Sequence, residues 1–294
     1  MAEKRIETAN DVVLFDDAQP LRKTRGKFSD VYSGRSLKTD SRVLVKRLHG
    51  ITDAEDPSLR KYERLAQLRH PALQRVTGVA QKEGAIYVVM HYREGEDLKA
   101  YLARRGRFRD AAQGGRIILD LLDGLSYLHH HRFIHTDIKP ANILLYEGRR
   151  GEMRGRLLDP GEVLWLEEPL PAKKPFSMIY SPPEQVLGFV DLICPASDIY
   201  SLGIVMWEML TGRKPFQAPH PAAIINLQLN SLPEKKRHIP DEYFRIIRRA
   251  TAKISLAKPP RYYLKEELKE LVLKGIRQRY SAAGAMMEDL AECL

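Results

Sequence analysis

The chain has 294 residues, 44% hydrophobic and 29% charged, with 48 Lys and Arg against 38 Asp and Glu and a formal net charge of +10. That apolar fraction can bury a substantial core and excludes a disordered chain; the lack of any repeat period or low-complexity tract excludes solenoids and linker-rich arrays. The basic residues are spread along the chain, with modest clusters at 149–156 and 235–261 and no interleaved aromatics, so solvated surface charge is favoured over a nucleic-acid surface.

The opening MAEKRIET lacks an apolar signal core, and the longest apolar stretch, 202–210, is too short for a bilayer and is broken by Glu208. No membrane association is expected. The two cysteines, Cys194 and Cys293, lack metal-ligand spacing, which points to structural thiols in a reducing compartment and a cytoplasmic location. Short β-type runs follow at 12–15, 30–33, 42–48, 73–79 and 85–92, predicting a small, mostly antiparallel sheet. One helix interrupts it: Asp56 and Pro57 make an N-cap and first-turn pair, and Leu59, Tyr62, Leu65 and Leu68 recur at helical spacing. After Gly95 the period changes. Ile117, Ile118, Leu121, Leu122, Leu125 and Leu128 form a helical stripe, and 199–210 is apolar on nearly every side, as in a deeply buried helix. The expected fold is α+β and two-lobed: an N-terminal extension or first strand over 1–20, a small β-rich lobe over 21–92, and a larger helical lobe over 93–294, with a cleft at the joint near His91.

The sharpest motif is His135-Thr136-Asp137-Ile138-Lys139-Pro140-Ala141-Asn142, followed by the apolar run 143–145. A carboxylate with an amide five residues later on one rigid loop can orient an attacking hydroxyl and hold metal-bound phosphates. Here the chain resembles the protein-kinase catalytic loop. The resemblance implies Asp137 as base or orienter of the substrate hydroxyl, Lys139 on the γ-phosphate and Asn142 on a Mg²⁺ or Mn²⁺ ion; a lysine two places after the aspartate is the Ser/Thr-kinase pattern. About seventeen residues on, Leu157-Leu158-Asp159-Pro160-Gly161 is similar to the family's Asp-Phe-Gly, making Asp159 a second metal ligand. Pro160 replaces the aromatic ring and is expected to keep Asp159 extended.

Tyr180-Ser181-Pro182-Pro183-Glu184 resembles the end of the activation segment, with Glu184 expected to pair with Arg279; Asp198 looks like the aspartate that accepts backbone N–H bonds from the catalytic loop. These landmarks separate protein kinases from small-molecule phosphotransferases that share only the His-x-Asp, Asn and Asp pattern. In the first lobe Val43-Leu44-Val45-Lys46 looks like the strand whose lysine holds the α- and β-phosphates of ATP, and the resemblance places Gly26, Val31, Met90, His91, Arg93 and Leu144 around the nucleotide. Leu44 stands where the family has a small residue against adenine, and Met90 falls at the gatekeeper position.

Other positions depart from the pattern. The phosphate loop, 24–31, keeps one of three glycines, Gly26; the interlobe helix offers Lys61 where a glutamate should face Lys46, with Glu63 about 200° away around the helix. Thr136 replaces the arginine that clasps a phosphorylated loop, and 162–176 contains no Ser, Thr or Tyr, so control by loop phosphorylation is not expected. His129, His130 and His131 read as a helix C-terminus rather than a metal site, and His135 as a packed scaffold residue. The reading is an ATP- and Mg²⁺-dependent Ser/Thr protein kinase of low activity, acting on a protein substrate with a Ser/Thr acceptor and controlled by a regulatory protein partner or by substrate. The alternative is a pseudokinase scaffold that binds nucleotide or partners.

Overall fold

The computed structural model describes residues 4–23, 29–49 and 57–294. The chain divides into two compact units, Met1–Glu94 and Gly95–Leu294. The first contains strands β1 (Lys4–Glu7), β2 (Val12–Phe15), β3 (Arg22–Lys23), β4 (Ser29–Ser36) and β5 (Arg42–Leu48), helix α1 (Pro57–Leu65), and strands β6 (Val76–Lys82) and β7 (Ala85–His91). All pairings are antiparallel, in the order β1-β2-β4-β5-β7-β6, with β3 also on β4.

Alternation along β5 decides which side of this sheet is core. Val43 and Val45 point to one face and join Ile6, Phe15, Tyr32, Tyr87 and Val89 in a buried cluster. Leu44 and Lys46 therefore point to the other, where Leu44 lies opposite Met90, and Lys46 opposite both Val31 and Val88. The β6–β7 hairpin turns through Glu83 and Gly84 with φ of 52° and 67°, the two left-handed residues that a tight two-residue hairpin requires. β1 reaches from the far end of the strand order back to β6: Lys82 Nζ donates to the Arg5 carbonyl at 3.0 Å, and a Cβ on Gly78 would lie 2.7 Å from the Thr8 side chain.

Several boundaries differ from the sequence reading: β4 is longer than the expected 30–33, and β7 stops at His91 rather than residue 92. β6 begins at Val76 because Leu73 is turned back onto the His70 carbonyl, and α1 ends at Leu65, after which Leu68 N–H folds onto the Leu65 carbonyl. β1 was not foreseen as an element of its own, since Ile6 is its one buried apolar residue. The expected N-cap Asp56 and the 24–28 part of the phosphate loop, including Gly26, lie outside the described residues.

The second unit starts with β8 (Glu96–Asp97), α2 (Leu98–Arg105), α3 (Ala111–His130) and β9 (Phe133–Ile134). β10 (Ile143–Glu147), β11 (Met153–Leu157) and β12 (Leu164–Trp165) follow, then α4 (Pro183–Val186), α5 (Pro195–Thr211), α6 (Pro221–Asn230), α7 (Asp241–Ala250), α8 (Lys265–Arg277) and α9 (Ala283–Ala291). It is helical, as expected, but five short strands stitch its loops. Asp110 N-caps α3 by accepting from Ala112 N–H at 2.9 Å, and the stripe from Ile117 to Leu128 is buried. Every residue of α5 from Ala196 to Thr211 is buried, and Gly203 lets α5 approach Ala250 on α7, where a Cβ would come within 2.8 Å. Gly212 ends α5 in the left-handed conformation, φ 68°.

Candidate active site

Helix α3 delivers the chain to β9, whose pairing with β12 fixes the start and end of a loop carrying His135 to Asn142. Phe133 and Trp165 stack across that pair with centroids 5.6 Å apart. The loop is anchored from below by Asp198 on α5, fully buried, whose carboxylate accepts His135 N–H at 2.8 Å and Thr136 N–H at 2.9 Å. His129 completes this carboxylate's shell with Nε2 2.8 Å from Oδ2, so its ring is a buried partner of Asp198 rather than part of a solvated helix end. His135, 3% exposed, places Nε2 3.1 Å from the Leu158 carbonyl. Thr136 sits at φ 63°, where a β-branched residue is strained. Its amide, its Oγ1 to the Glu162 carbonyl at 2.6 Å, and its carbonyl to Gln185 Nε2 at 3.0 Å hold it there.

Beyond Thr136 the loop presents Asp137. Its carboxylate receives Lys139 Nζ at 2.6 and 2.9 Å, Asn142 Nδ2 at 2.7 Å and Ser177 Oγ at 3.0 Å. Asn142 Nδ2 also donates to the Asp137 carbonyl at 2.9 Å, and a 3-10 turn over Pro140–Asn142 sets the Asp-to-Asn spacing. Four hydrogen bonds from these three groups fill the lone-pair capacity of one carboxylate. Lys139 alone carries a charge and makes two of these contacts, while the neutral Ser177 hydroxyl makes the longest. Ser177 was not foreseen: the sequence reading of the loop stopped at Phe176. Its hydroxyl three residues before Tyr180 was the available signal.

Asp159 follows β11, with its backbone at φ 55°, ψ 71° and Oδ1 accepting Gly161 N–H at 3.2 Å. This corrects the expectation of an extended residue. The following proline disfavours the right-handed helical region, and aspartate's short acceptor, which closes a local turn onto Gly161, makes the left-handed alternative accessible. From here the chain is held by protein groups alone. Lys174, its side chain 8% exposed, lies 2.9 Å from Glu162 Oε2, and Gln185 Nε2 donates to the Pro175 carbonyl at 2.6 Å. At the segment's end Glu184 and Arg279 make a two-pronged pair at 2.7 and 3.2 Å with both side chains 0% exposed, as the sequence motif suggested.

The first unit carries the other predicted residues. Lys46 is 6% exposed on β5 and shares the non-core face with Val31, Leu44, Val88 and Met90, which is 4% exposed. Lys61 on α1 lies 5.1 Å from the Tyr62 ring centroid. His91 ends β7; its N–H donates to the Arg75 carbonyl at 3.0 Å, and its carbonyl accepts Gln74 Nε2 at 2.7 Å. Arg93 lies two residues on, in the same unit. In the second unit, Leu144 on β10 pairs with Asp97 and Arg156 and is 8% exposed.

Asn142 spends Nδ2 on Asp137 and leaves Oδ1 outside any hydrogen bond among the described residues, and Asp159 adds a carboxylate. An amide oxygen with a carboxylate oxygen is a hard donor pair suited to Mg²⁺ that keeps phosphate and water ligands. Among the described residues no group of three or more His, Cys, Asp or Glu forms a self-sufficient metal cage, and no helix is long and apolar enough to cross a membrane.

The family model for the protein kinase domain matches residues 24–289. The chain is 30% identical over 239 residues to the serine/threonine-protein kinase PrkC of Bacillus subtilis, covering 78% of this chain and 36% of that one. It is 33% identical over 208 residues to the Aurora kinase of Schizosaccharomyces pombe, covering 69% and 56%. With the probable serine/threonine-protein kinase PknB of Lactococcus lactis the figures are 26% over 277 residues, 91% and 40%. The chain thus spans between 36% and 56% of the length of these three relatives.

Proposed function

We propose that this chain, which belongs to the protein kinase family, transfers the γ-phosphate of ATP to a serine or threonine hydroxyl of a protein, with Asp137 orienting the acceptor. Its fold is that of the family, α+β with a β-rich first unit and a helical second. The carrying observation is the Asp137 carboxylate, held by Lys139, Asn142 and Ser177 at 2.6–3.0 Å. On binding ATP, Lys139 leaves Asp137 for the more highly charged γ-phosphate, which opens one carboxylate lone pair to the substrate hydroxyl. Asp137 then accepts that hydroxyl's hydrogen bond and receives its proton as the bond from the acceptor oxygen to the γ-phosphorus forms and the bond from that phosphorus to the β–γ bridging oxygen breaks, the electron pair leaving with ADP. Ser177, whose N–H donates to Ser181 Oγ at 2.9 Å, is a fixed neighbour of the carboxylate on the side of Oδ1. Asn142 Oδ1 and Asp159 would hold Mg²⁺ (or Mn²⁺), which when bound neutralises charge on the phosphates. Lys46 would take the α- and β-phosphates, with Val31, Met90 and Leu144 as apolar neighbours of the base.

The nucleotide side is less usual. The His91 carbonyl already accepts from Gln74, so adenine's amino group would have to share it. The segment after Asp159 needs no phosphate to stay folded, since Lys174, Glu162, Thr136 and Gln185 supply every link described above. The deciding experiment compares ³²P transfer from γ-labelled ATP to a generic basic protein by the wild type and by Asp137→Ala. Loss of signal in the variant is expected. Equal signals would remove the enzyme reading and leave the scaffold.

A further inference from the structure

The second unit carries a pocket of about 770 Å³ that none of the chemistry above uses. Two segments some forty residues apart build it: the α2 to α3 connection, with Arg104, Arg105, Arg107 and Arg109, and the β10–β11 hairpin, with Leu145 and Met153. Its size is that of a ligand-accepting cleft. Arg104 takes Glu96 with two hydrogen bonds, and Glu96 is held below the usual carboxylate range mainly by that contact. Asp110 is spent on capping α3. The guanidinium groups of Arg105, Arg107 and Arg109 make no hydrogen bond or ion pair among the described residues, so three cations face the pocket uncommitted, beside the positive N-terminal end of the twenty-residue α3. Tyr101 stacks on Phe108 at 4.8 Å and stiffens the wall that carries them.

We infer that this pocket docks an acidic peptide segment of a partner protein, with Asp or Glu side chains on Arg105, Arg107 and Arg109 and an apolar side chain against Leu145 and Met153. The inference rests on the protein-directed part of the function proposed above and adds where such a partner is gripped. A nucleic acid fits less well. Glu96, Asp110 and Glu147 also line the cavity and would repel a continuous phosphate backbone, and the Tyr101 ring is already stacked on Phe108 rather than offered to a base. A peptide can place its acids against the arginines alone, and a bidentate guanidinium–carboxylate contact matches that chemistry.

Fluorescence anisotropy with three labelled probes tests this: a twelve-residue peptide of alternating Glu and Leu, the same peptide with Lys for Glu, and a twelve-nucleotide single strand. The wild type and the Asp137→Ala variant should bind the acidic peptide alike, so failure of catalysis and failure of docking read out separately. Charge reversal by Arg105→Glu, Arg107→Glu and Arg109→Glu together should weaken that binding about ten-fold or more, from the loss of three exposed pairs. An equally charged control, Arg237→Glu with Arg248→Glu and Arg261→Glu, all exposed and remote in sequence, should bind like the wild type. Unchanged affinity in the pocket variant, equal loss in the control, or tighter binding of the Lys peptide or the oligonucleotide would overturn the inference.

Discussion

Removing one partner of the Glu184–Arg279 pair is a severe perturbation of the second unit, because it strands a charge at a fully buried position. Both side chains are fully buried; Glu184 also accepts Ser197 Oγ at 2.7 Å, while Arg279 donates Nε to the Ala252 carbonyl at 2.8 Å and lies 4.8 Å from the Tyr200 ring. Glu184→Ala leaves the guanidinium without its counter-charge and Ser197 without its acceptor. An uncompensated buried charge costs about 3–5 kcal/mol, against a total stability of about 5–15 kcal/mol. At about 2–4 °C per kcal/mol for a unit of this size, the melting midpoint should fall by roughly 6–20 °C. Urea unfolding followed by far-UV circular dichroism, with the m-value checked for constancy, measures the loss directly. The double change Glu184→Met with Arg279→Met should cost clearly less than the two single changes summed, because neither charge is then stranded. A single-variant loss below about 1 kcal/mol would refute the reasoning.

Two further changes probe the site's support. Lys174→Ala removes the ion pair that, with Thr136 and Gln185, holds the segment after Asp159; chymotrypsin should then cut at Trp165 or Phe176 several-fold faster and phosphotransfer should fall, with Lys174→Arg restoring both. Unchanged cleavage would show that the pair does not hold the segment. Glu208 is raised above its ordinary 4.5, chiefly by burial, against a hydrogen bond from Tyr180 and the charge of Lys214. A raised folded value means its contribution to stability is complete below 4.5 and is lost as pH rises through that folded value. Glu208→Gln keeps an acceptor for Tyr180, so the variant's melting midpoint should gain on the wild type as pH rises from 4 toward neutrality; parallel pH profiles would contradict this.

What the sequence disclosed depended on how local the cause was. The Asp137 to Asn142 spacing is set inside one loop by Pro140 and a single 3-10 turn, so the motif carries its own geometry. The faces of β5 follow from alternation alone, which separates Lys46 from the buried Val45, whereas its pairing with Val31 is set by the β4–β5 register. Asp159 could not be read that way. Its left-handed backbone depends on the turn its carboxylate closes onto Gly161, and proline statistics pointed elsewhere. The helix end at His129 was legible, but its partner was not, since Asp198 lies 69 residues on and a helix end looks alike whether its last ring meets water or a buried carboxylate. β1 escaped notice because a strand with one buried apolar residue has almost no period to detect.

Strain and its compensation tie these features into one argument about control. Thr136 and Asp159 are two of the five non-glycine residues with positive φ among the described residues, and they stand immediately before Asp137, the candidate catalytic carboxylate, and at a candidate metal ligand. Each such backbone costs about 1–3 kcal/mol and persists only where its surroundings over-determine it. At Thr136 those surroundings are Asp198, Glu162 and Gln185, and Gln185 and Glu162 are also the groups that reach Pro175 and Lys174. The residues that hold Thr136 in its strained conformation, Glu162 and Gln185, are therefore also residues that hold the following segment. A family member with arginine at position 136 could leave that second task to a phosphate and so switch it. Here threonine's hydroxyl takes the Glu162 carbonyl directly, so loosening the segment would also release Thr136 and misplace Asp137. On the function proposed above, that coupling favours a chain whose second unit is built ready, and control would then fall to what reaches the unit from outside, such as a substrate or the peptide proposed for the surface pocket.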